Sequence, residues 1–147
     1  MARSETPAAD RFDLDRFIEA QRDIYPQALN EIRAAQKRGH WMWFVFPQIQ
    51  GLGFSETSRR YAIEGLGEAR AYLAHPLLGP RLVACAEAML ALPGRSALEI
   101  LGSPDDSKLR SSTTLFAEVS PTGSVFHQVL ERYFDGQADE RTLNLLK

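Results

Sequence analysis

The spacing of apolar residues most constrains the fold of this chain, because these residues recur every three or four positions over much of its length. Such a period places side chains on one side of an α-helix, as for Leu66, Ala69 and Tyr72. Prolines end these stretches early, for example at Pro76 and Pro93. The sequence therefore predicts a mainly α-helical fold built from short helices.

Two serine-led patterns predict where helices begin. Ser96 is followed three residues later by Glu99, which is the spacing of a capping box. Ser103 precedes Pro104 and two aspartates, and we expect its hydroxyl to cap the next helix in the same way. Two caps so close together predict a compact helical corner.

The length of 147 residues, with 44% of positions apolar, indicates one hydrophobic core. Residues 1–11 are polar and lack periodicity, so we predict a disordered tail there and a single globular helical domain over residues 12–147. The one cysteine, Cys85, excludes a disulfide within the chain, and the scattered histidines have no metal-ligand spacing. We expect neither a metal nor a cofactor.

Charge and hydropathy argue against two classes of partner. The formal net charge of −2 is not the basic excess that binding to DNA or RNA requires, so a nucleic-acid partner is not expected. No apolar run approaches the ~18 residues of a membrane span, and the first residues lack the apolar stretch of a signal peptide. We therefore predict a cytoplasmic protein without a membrane partner.

An apolar run over residues 41–46 holds four of the 14 aromatic residues, including both tryptophans. The run is closed by Pro47 and is short for a buried helix, so it predicts at most a small extended or β element. Alternation would then direct Trp41, Trp43 and Val45 to one side. Two roles remain open for these rings: packing in the core, or one flat wall of a site for a planar ligand.

A flexible loop follows the aromatic run, since Gly51 and Gly53 come next, with Ser55 as a cap for another short helix. Flat rings, a histidine and glycine backbone are suited to holding a planar polar ligand. The candidate ligand-binding residues of this region are His40, Trp41, Trp43, Phe44, Gln48, Gly51, Gly53, Ser55 and Tyr61.

Polar residues share the apolar face of the helix predicted after Pro104. At about 100° per residue, Asp105, Lys108 and Ser112 fall on the same side as Leu109 and Phe116. Buried charges need partners, which are either other side chains or a ligand. Both alternatives stay open: an internally satisfied cluster, or the polar floor of a cleft.

Four other polar residues of this helix project away from the apolar face: Asp106, Arg110, Ser111 and Thr114. Asp106 and Arg110 lie four residues apart, which is the spacing of an exposed ion pair. Ser111 points away from the apolar face in the same projection. Arg110, Ser111 and Ser112 complete the candidate ligand-binding set, and Asp105, Asp106 and Lys108 are the candidate catalytic residues.

The chain resembles a mostly bacterial family known as domain of unknown function 1810. Specific motifs carry the resemblance: His40-Trp-Met-Trp-Phe-Val-Phe-Pro-Gln48, Gly51-Leu-Gly53 and Asp105-Asp-Ser-Lys-Leu-Arg-Ser-Ser112. It implies a mostly α-helical fold and no agreed biochemistry. In its helical build and its mix of aromatic and Lys/Asp residues, the chain is also similar to NADAR-type glycosidases, which act on N-linked ADP-ribose or riboside phosphates.

Two functions are compatible with this inventory. The first is a small-molecule cleft for a nucleotide, ADP-ribose or riboside. If the protein is an enzyme, N-glycosidic hydrolysis is indicated: Asp105 or Asp106 stabilises an oxocarbenium-like centre or activates water, and Lys108 holds phosphate. The alternative is a non-enzymatic helical module for protein–protein interaction. The oligomeric state stays open.

Overall fold

The computed structural model describes residues 11–147, in which ten helices begin and end. They are α1 (Asp15–Gln21), α2 (Tyr25–Arg33), α3 (Met42–Val45), α4 (Glu56–Arg60), α5 (Leu66–Ala74), α6 (Leu78–Leu90), α7 (Ala97–Leu101), α8 (Asp105–Ala117), α9 (Val125–Phe134) and α10 (Glu140–Leu145). The mainly α-helical fold predicted from the sequence is confirmed. The tail predicted over residues 1–11 lies outside the described residues, except for Arg11. Across residues 11–147 no helix is both long and apolar enough to cross a membrane.

Two 13-residue helices, α6 and α8, form the centre of the molecule. Helix α6 packs against α2, α5 and α9, and α8 packs against α5, α7, α9 and α10. Cys85 lies on the inner face of α6 and is fully buried, and this burial raises the pKa of its thiol to about 12. The thiol therefore stays protonated at neutral pH and serves as packing.

Helix α8 is buried on every side from Ser111 to Ala117. Ser111 and Thr114 were expected to point away from the core; this expectation is wrong, because helices surround α8 on all sides beyond its first turns. Their hydroxyls donate to the carbonyls of Ser107 and Arg110, four residues earlier, so these two buried hydroxyls are hydrogen-bonded within the helix. The first turns of α8 are only partly covered, and this half of the helix forms the candidate site.

The aromatic run does not form the extended element that its length suggested. Residues 42–45 form the single turn α3, in which Val45 N donates to Trp41 O at 3.1 Å. Burial follows a helical pattern, with Trp41, Met42 and Val45 inside and Trp43 half-buried. The β-type pairing found within residues 11–147 is a parallel bridge between Ile49 and Ile63, which lie outside this run.

The two serine patterns have different outcomes. Ser96 forms the predicted capping box, since its hydroxyl accepts from Glu99 N at 3.0 Å and the Glu99 carboxylate accepts from Ser96 N at 2.8 Å. Ser103 does not cap α8; the residue before this helix is Pro104, and no side chain there bonds the helix start. The N–H groups of Asp106, Ser107 and Lys108 in the first turn of α8 donate instead to the backbone carbonyls of Gly102 and Pro104.

Candidate functional site

A cleft lies between the first half of α8 and the segment that we call the glycine loop, residues 48–58. Its volume is about 340 Å³, near the lower end of the range for small-molecule sites. The cleft is lined by Gln48, Leu52, Gly53, Ser58, Pro104, Ser107, Lys108, Ser111, Asp139 and Arg141. An inner cavity of about 30 Å³, large enough for about one water molecule, adjoins it and is closed by Trp43 and Tyr61.

Backbone geometry holds the glycine loop at the edge of the cleft. Gly51 has a φ of +106°, which L side chains rarely adopt. A Cβ on Gly53 would lie 2.6 Å from Ser58 Oγ, so this position is restricted to glycine by contact as well. Ser55 accepts a hydrogen bond from Ser58 N at 3.0 Å and begins α4. The loop therefore packs against the start of α4, the helix that follows it.

One carboxylate and two ammonium groups meet at the start of α8. Asp105 Oδ2 lies 2.7 Å from Lys37 Nζ, and Asp105 Oδ1 lies 3.4 Å from Lys108 Nζ. The exposed fractions of these side chains are 16% for Asp105, 8% for Lys37 and 20% for Lys108. Because one negative charge faces two positive ones in a partly desolvated setting, the cluster has an excess of positive charge on the cleft side.

The two lysines connect α8 to the aromatic run. Lys108 Nζ lies 4.6 Å from the ring centroid of Trp43, and Lys37 Nζ lies 5.0 Å from that of Trp41. An ammonium at this distance is attracted to the negative face of the indole ring. The aromatic run and the polar face of α8 are therefore neighbours, joined through a cation above each tryptophan.

Trp41 is anchored from its other side by Glu31. The indole Nε1 donates to Glu31 Oε1 at 2.8 Å, and the backbone N–H groups of Arg38 and Gly39 donate to the same oxygen. Burial alone would raise the pKa of Glu31, but these hydrogen bonds favour the charged form more strongly and lower the pKa to about 2. The carboxylate therefore fixes the chain between α2 and the aromatic run.

The far wall of the cleft comes from the C-terminal segment. Asp139 Oδ2 accepts from Ser111 Oγ and from Thr142 N, each at 3.1 Å, and so ties α8 to the start of α10. Arg110 donates to the carbonyls of Gln137 and Ala138 at 2.9 and 3.1 Å. The expected surface pair between Asp106 and Arg110 is therefore wrong, since the guanidinium holds this segment instead.

Seven of the residues singled out from the sequence line the cleft or its inner cavity. They are Trp43, Gln48, Gly51, Gly53, Tyr61, Lys108 and Ser111. The fold therefore brings the glycine loop and residues 105–108 of α8, the Lys108 turn, to the same cleft.

The other aromatic and loop candidates lie elsewhere. Trp41 is fully buried and belongs to the core. Phe44 packs on Tyr61 with ring centroids 5.3 Å apart, and its carbonyl accepts a hydrogen bond from Gln21. Ser55 caps α4, and His40 is exposed outside the lining of the cleft.

The candidates on α8 also divide. Asp105 and Asp106 are absent from the lining, and Asp105 faces the two lysines. Ser112 is fully buried, and its hydroxyl is without a hydrogen-bond partner among residues 11–147. Arg110 supports the far wall. The described part of the chain contains no cluster of three His, Cys, Asp or Glu side chains arranged to hold a metal ion.

Several residues of the cleft were not among those singled out from the sequence. They are Leu52, Ser58, Pro104, Ser107, Asp139 and Arg141. Asp139 and Thr142 have the spacing of a helix cap, which marks the start of α10 in the sequence. That pattern carries no information on which surface α10 packs against. The sequence therefore does not indicate that Asp139 and Arg141 line a cleft.

The chain is similar to one protein family and to one solved structure of the same fold. The family model described as "Protein of unknown function (DUF1810)" matches residues 11–146. The crystal structure of the conserved hypothetical protein Rv1873 from Mycobacterium tuberculosis is similar, with a TM-score of 0.91 and 51% sequence identity; the match covers 92% of this chain and 97% of that one. No curated protein matches the chain.

Proposed function

The chain belongs to the DUF1810 family, whose description names no activity, and from the lining of the cleft we propose that this protein binds a small phosphate-bearing ligand of the nucleotide or riboside-phosphate class. The observation that carries the proposal is the lining of the cleft, where Lys108 and Arg141 face a space bordered by serine hydroxyls. Cations and hydroxyl donors together are the groups that recognise phosphate oxygens.

Of the two lysines that face Asp105, Lys108 is the better placed to bind an anion in the cleft. Its ion pair with Asp105 spans 3.4 Å, whereas Lys37 holds the same carboxylate at 2.7 Å. An ammonium has three N–H donors, and Lys108 donates no hydrogen bond within residues 11–147. Its donors are therefore available to an anion in the cleft, while Trp43 and Asp105 hold the side chain in position.

The acid in the lining does not oppose such a ligand. Asp139 is the acidic residue among the groups lining the cleft, and its Oδ2 accepts hydrogen bonds from Ser111 and Thr142. These donors offset part of its negative charge. A volume of about 340 Å³ suits a mononucleotide or riboside phosphate better than the larger ADP-ribose.

N-glycosidic hydrolysis of such a ligand is the reaction that the candidate residues suit, and it requires a carboxylate near the sugar. Asp105 stands behind Lys108 as seen from the cleft, so its contribution to this proposal is to hold the lysine. Binding is therefore the primary proposal, and release of a free base from a bound riboside phosphate is the test for the reaction.

Calorimetry with AMP, ribose 5-phosphate, adenosine and ADP-ribose tests the proposal. We expect AMP and ribose 5-phosphate to bind, and adenosine to bind at least about tenfold more weakly because it lacks the charged group. Lys108→Met keeps the apolar stem over Trp43 and removes the charge, so it weakens both phosphate ligands by a similar factor.

The matched control is Arg95→Met, which removes one exposed positive charge away from the cleft lining. This variant is expected to bind as the wild type does. The proposal is wrong if no phosphate ligand binds at millimolar concentration, or if Lys108→Met binds them with unchanged affinity.

A second candidate is the non-enzymatic interaction module, and the observation that favours it is the internal use of Asp105 by two lysines. If the cluster is purely structural, Lys108→Met lowers the melting temperature by several degrees. A residue held ready for a ligand behaves differently, since its removal leaves stability unchanged or improved. The melting temperatures of Lys108→Met and the wild type separate the two functions.

A further inference from the structure

The two aromatic rings that line the inner cavity, those of Trp43 and Tyr61, have neighbours against them. Lys108 lies over the ring of Trp43. Tyr61 packs against Phe17 and Phe44, with centroid distances of 5.8 and 5.3 Å, and the Arg60 guanidinium lies 5.6 Å from its ring. These neighbours occupy part of the ring surface on which a planar group could stack.

Phe54 is the exception among the aromatic residues near the cleft. It is 71% exposed and is not itself part of the lining, but it directly follows Gly53, which lines both the cleft and its inner cavity. At this exposure the ring has a face open to solvent on which a planar group can lie. The ring is therefore a free aromatic face, attached to the backbone that forms the edge of the cleft.

We infer that Phe54 is the residue on which the planar base of the bound ligand stacks, which makes it a specificity-determining residue; this inference rests on the proposed function. Stacking on an aromatic ring needs one free face and tolerates any base, because every base has a flat surface. The phosphate then lies toward Lys108 and Arg141, and the base lies at the glycine-loop edge of the cleft.

The loop is built to hold Phe54 at that edge. N-terminal to Phe54, Gln50 N donates to Ile63 O at 2.8 Å. C-terminal to it, Ser55 caps the start of α4. Phe54 thus lies in a short segment fixed at both ends, next to Gly53. Its ring can change rotamer without disturbing packing, because most of its surface contacts solvent.

Calorimetry of Phe54→Ala with AMP and with ribose 5-phosphate tests the inference, since only AMP carries a base. We expect AMP to bind about tenfold more weakly, ribose 5-phosphate to bind as it does to the wild type, and Phe54→Trp to retain AMP binding. The matched control is Leu98→Ala, which removes another exposed apolar side chain, 54% exposed and outside the cleft lining.

Each outcome separates this inference from the proposal on which it rests. If Phe54→Ala binds AMP with wild-type affinity, or loses ribose 5-phosphate to the same extent as AMP, the stacking role is wrong and the phosphate site stands. If the wild type binds neither compound, the proposed function is wrong and the stacking role falls with it.

Discussion

The Lys37 ammonium lies 2.7 Å from the Asp105 carboxylate, and this ion pair joins the chain after α2 to the first residue of α8. Both side chains are largely buried, so the pair forms in a setting where water screens it weakly. The same carboxylate also holds Lys108 at the cleft. One acid therefore connects the stability of the fold with the position of the candidate ligand-binding cation.

Removal of the Lys37 charge is expected to destabilise the protein. Lys37→Met leaves Asp105 with only its longer contact to Lys108, and an incompletely paired buried carboxylate costs on the order of 2 kcal/mol in the free energy of unfolding. The neighbouring Arg38→Met removes an exposed charge and is expected to stay within about 0.5 kcal/mol of the wild type. Urea denaturation measures both, and equal stabilities would contradict the prediction.

Stability at acid pH should depend on Glu31. Its pKa falls from the ordinary 4.5 to about 2 on folding, so its stabilisation is fully present above about pH 4.5 and is lost as the pH falls towards 2. Glu31→Gln lacks this proton linkage. The difference in free energy of unfolding between the wild type and Glu31→Gln is therefore expected to shrink between pH 4.5 and pH 2.

Glu19→Gln removes an exposed carboxylate and is the control for this pH series. Denaturation curves across the series provide the readout. A constant difference between the wild type and Glu31→Gln over that interval would show that Glu31 does not gain its hydrogen bonds on folding.

The two serine patterns supply a matched pair of substitutions. Ser96→Ala removes the hydroxyl that accepts from Glu99 N and should cost about 1 kcal/mol. Ser103→Ala removes an exposed serine that does not cap α8, and we expect a change of less than about 0.5 kcal/mol. Thermal denaturation compares the two, and a larger loss for Ser103→Ala would contradict the assignment of caps.

A side chain at position 53 is expected to force the glycine loop to change its conformation. The Cβ of Gly53→Ala would lie 2.6 Å from Ser58 Oγ and 2.7 Å from Ser58 Cβ, so the edge of the cleft has to shift. We expect weaker binding of AMP and a lower melting temperature, with partial recovery when Ser58→Gly is added. Gly65→Ala is the control, because nothing lies within 4 Å of its new methyl group.

Local patterns in the sequence were sufficient for much of the fold. The apolar spacing predicted the helices, and the Ser96 capping box was correct because a cap is made by residues three apart. The extended element expected in the aromatic run was wrong for residues 42–45, which form a helical turn. A run of six apolar residues fits a strand or a buried helical turn equally well. Only the packing of α3 against α1 distinguishes the two.

The sequence by itself determined that the chain is mainly α-helical, which family it resembles, and that the glycine loop and the Lys108 turn hold unusual groupings of residues. Tertiary structure alone decided that Lys37 pairs with Asp105, that Trp41 is core, and that Asp139 and Arg141 complete the cleft. The physical reason is range: caps and helical faces arise from residues within a few positions of one another. Ion pairs and cleft walls arise only when packing brings distant segments together.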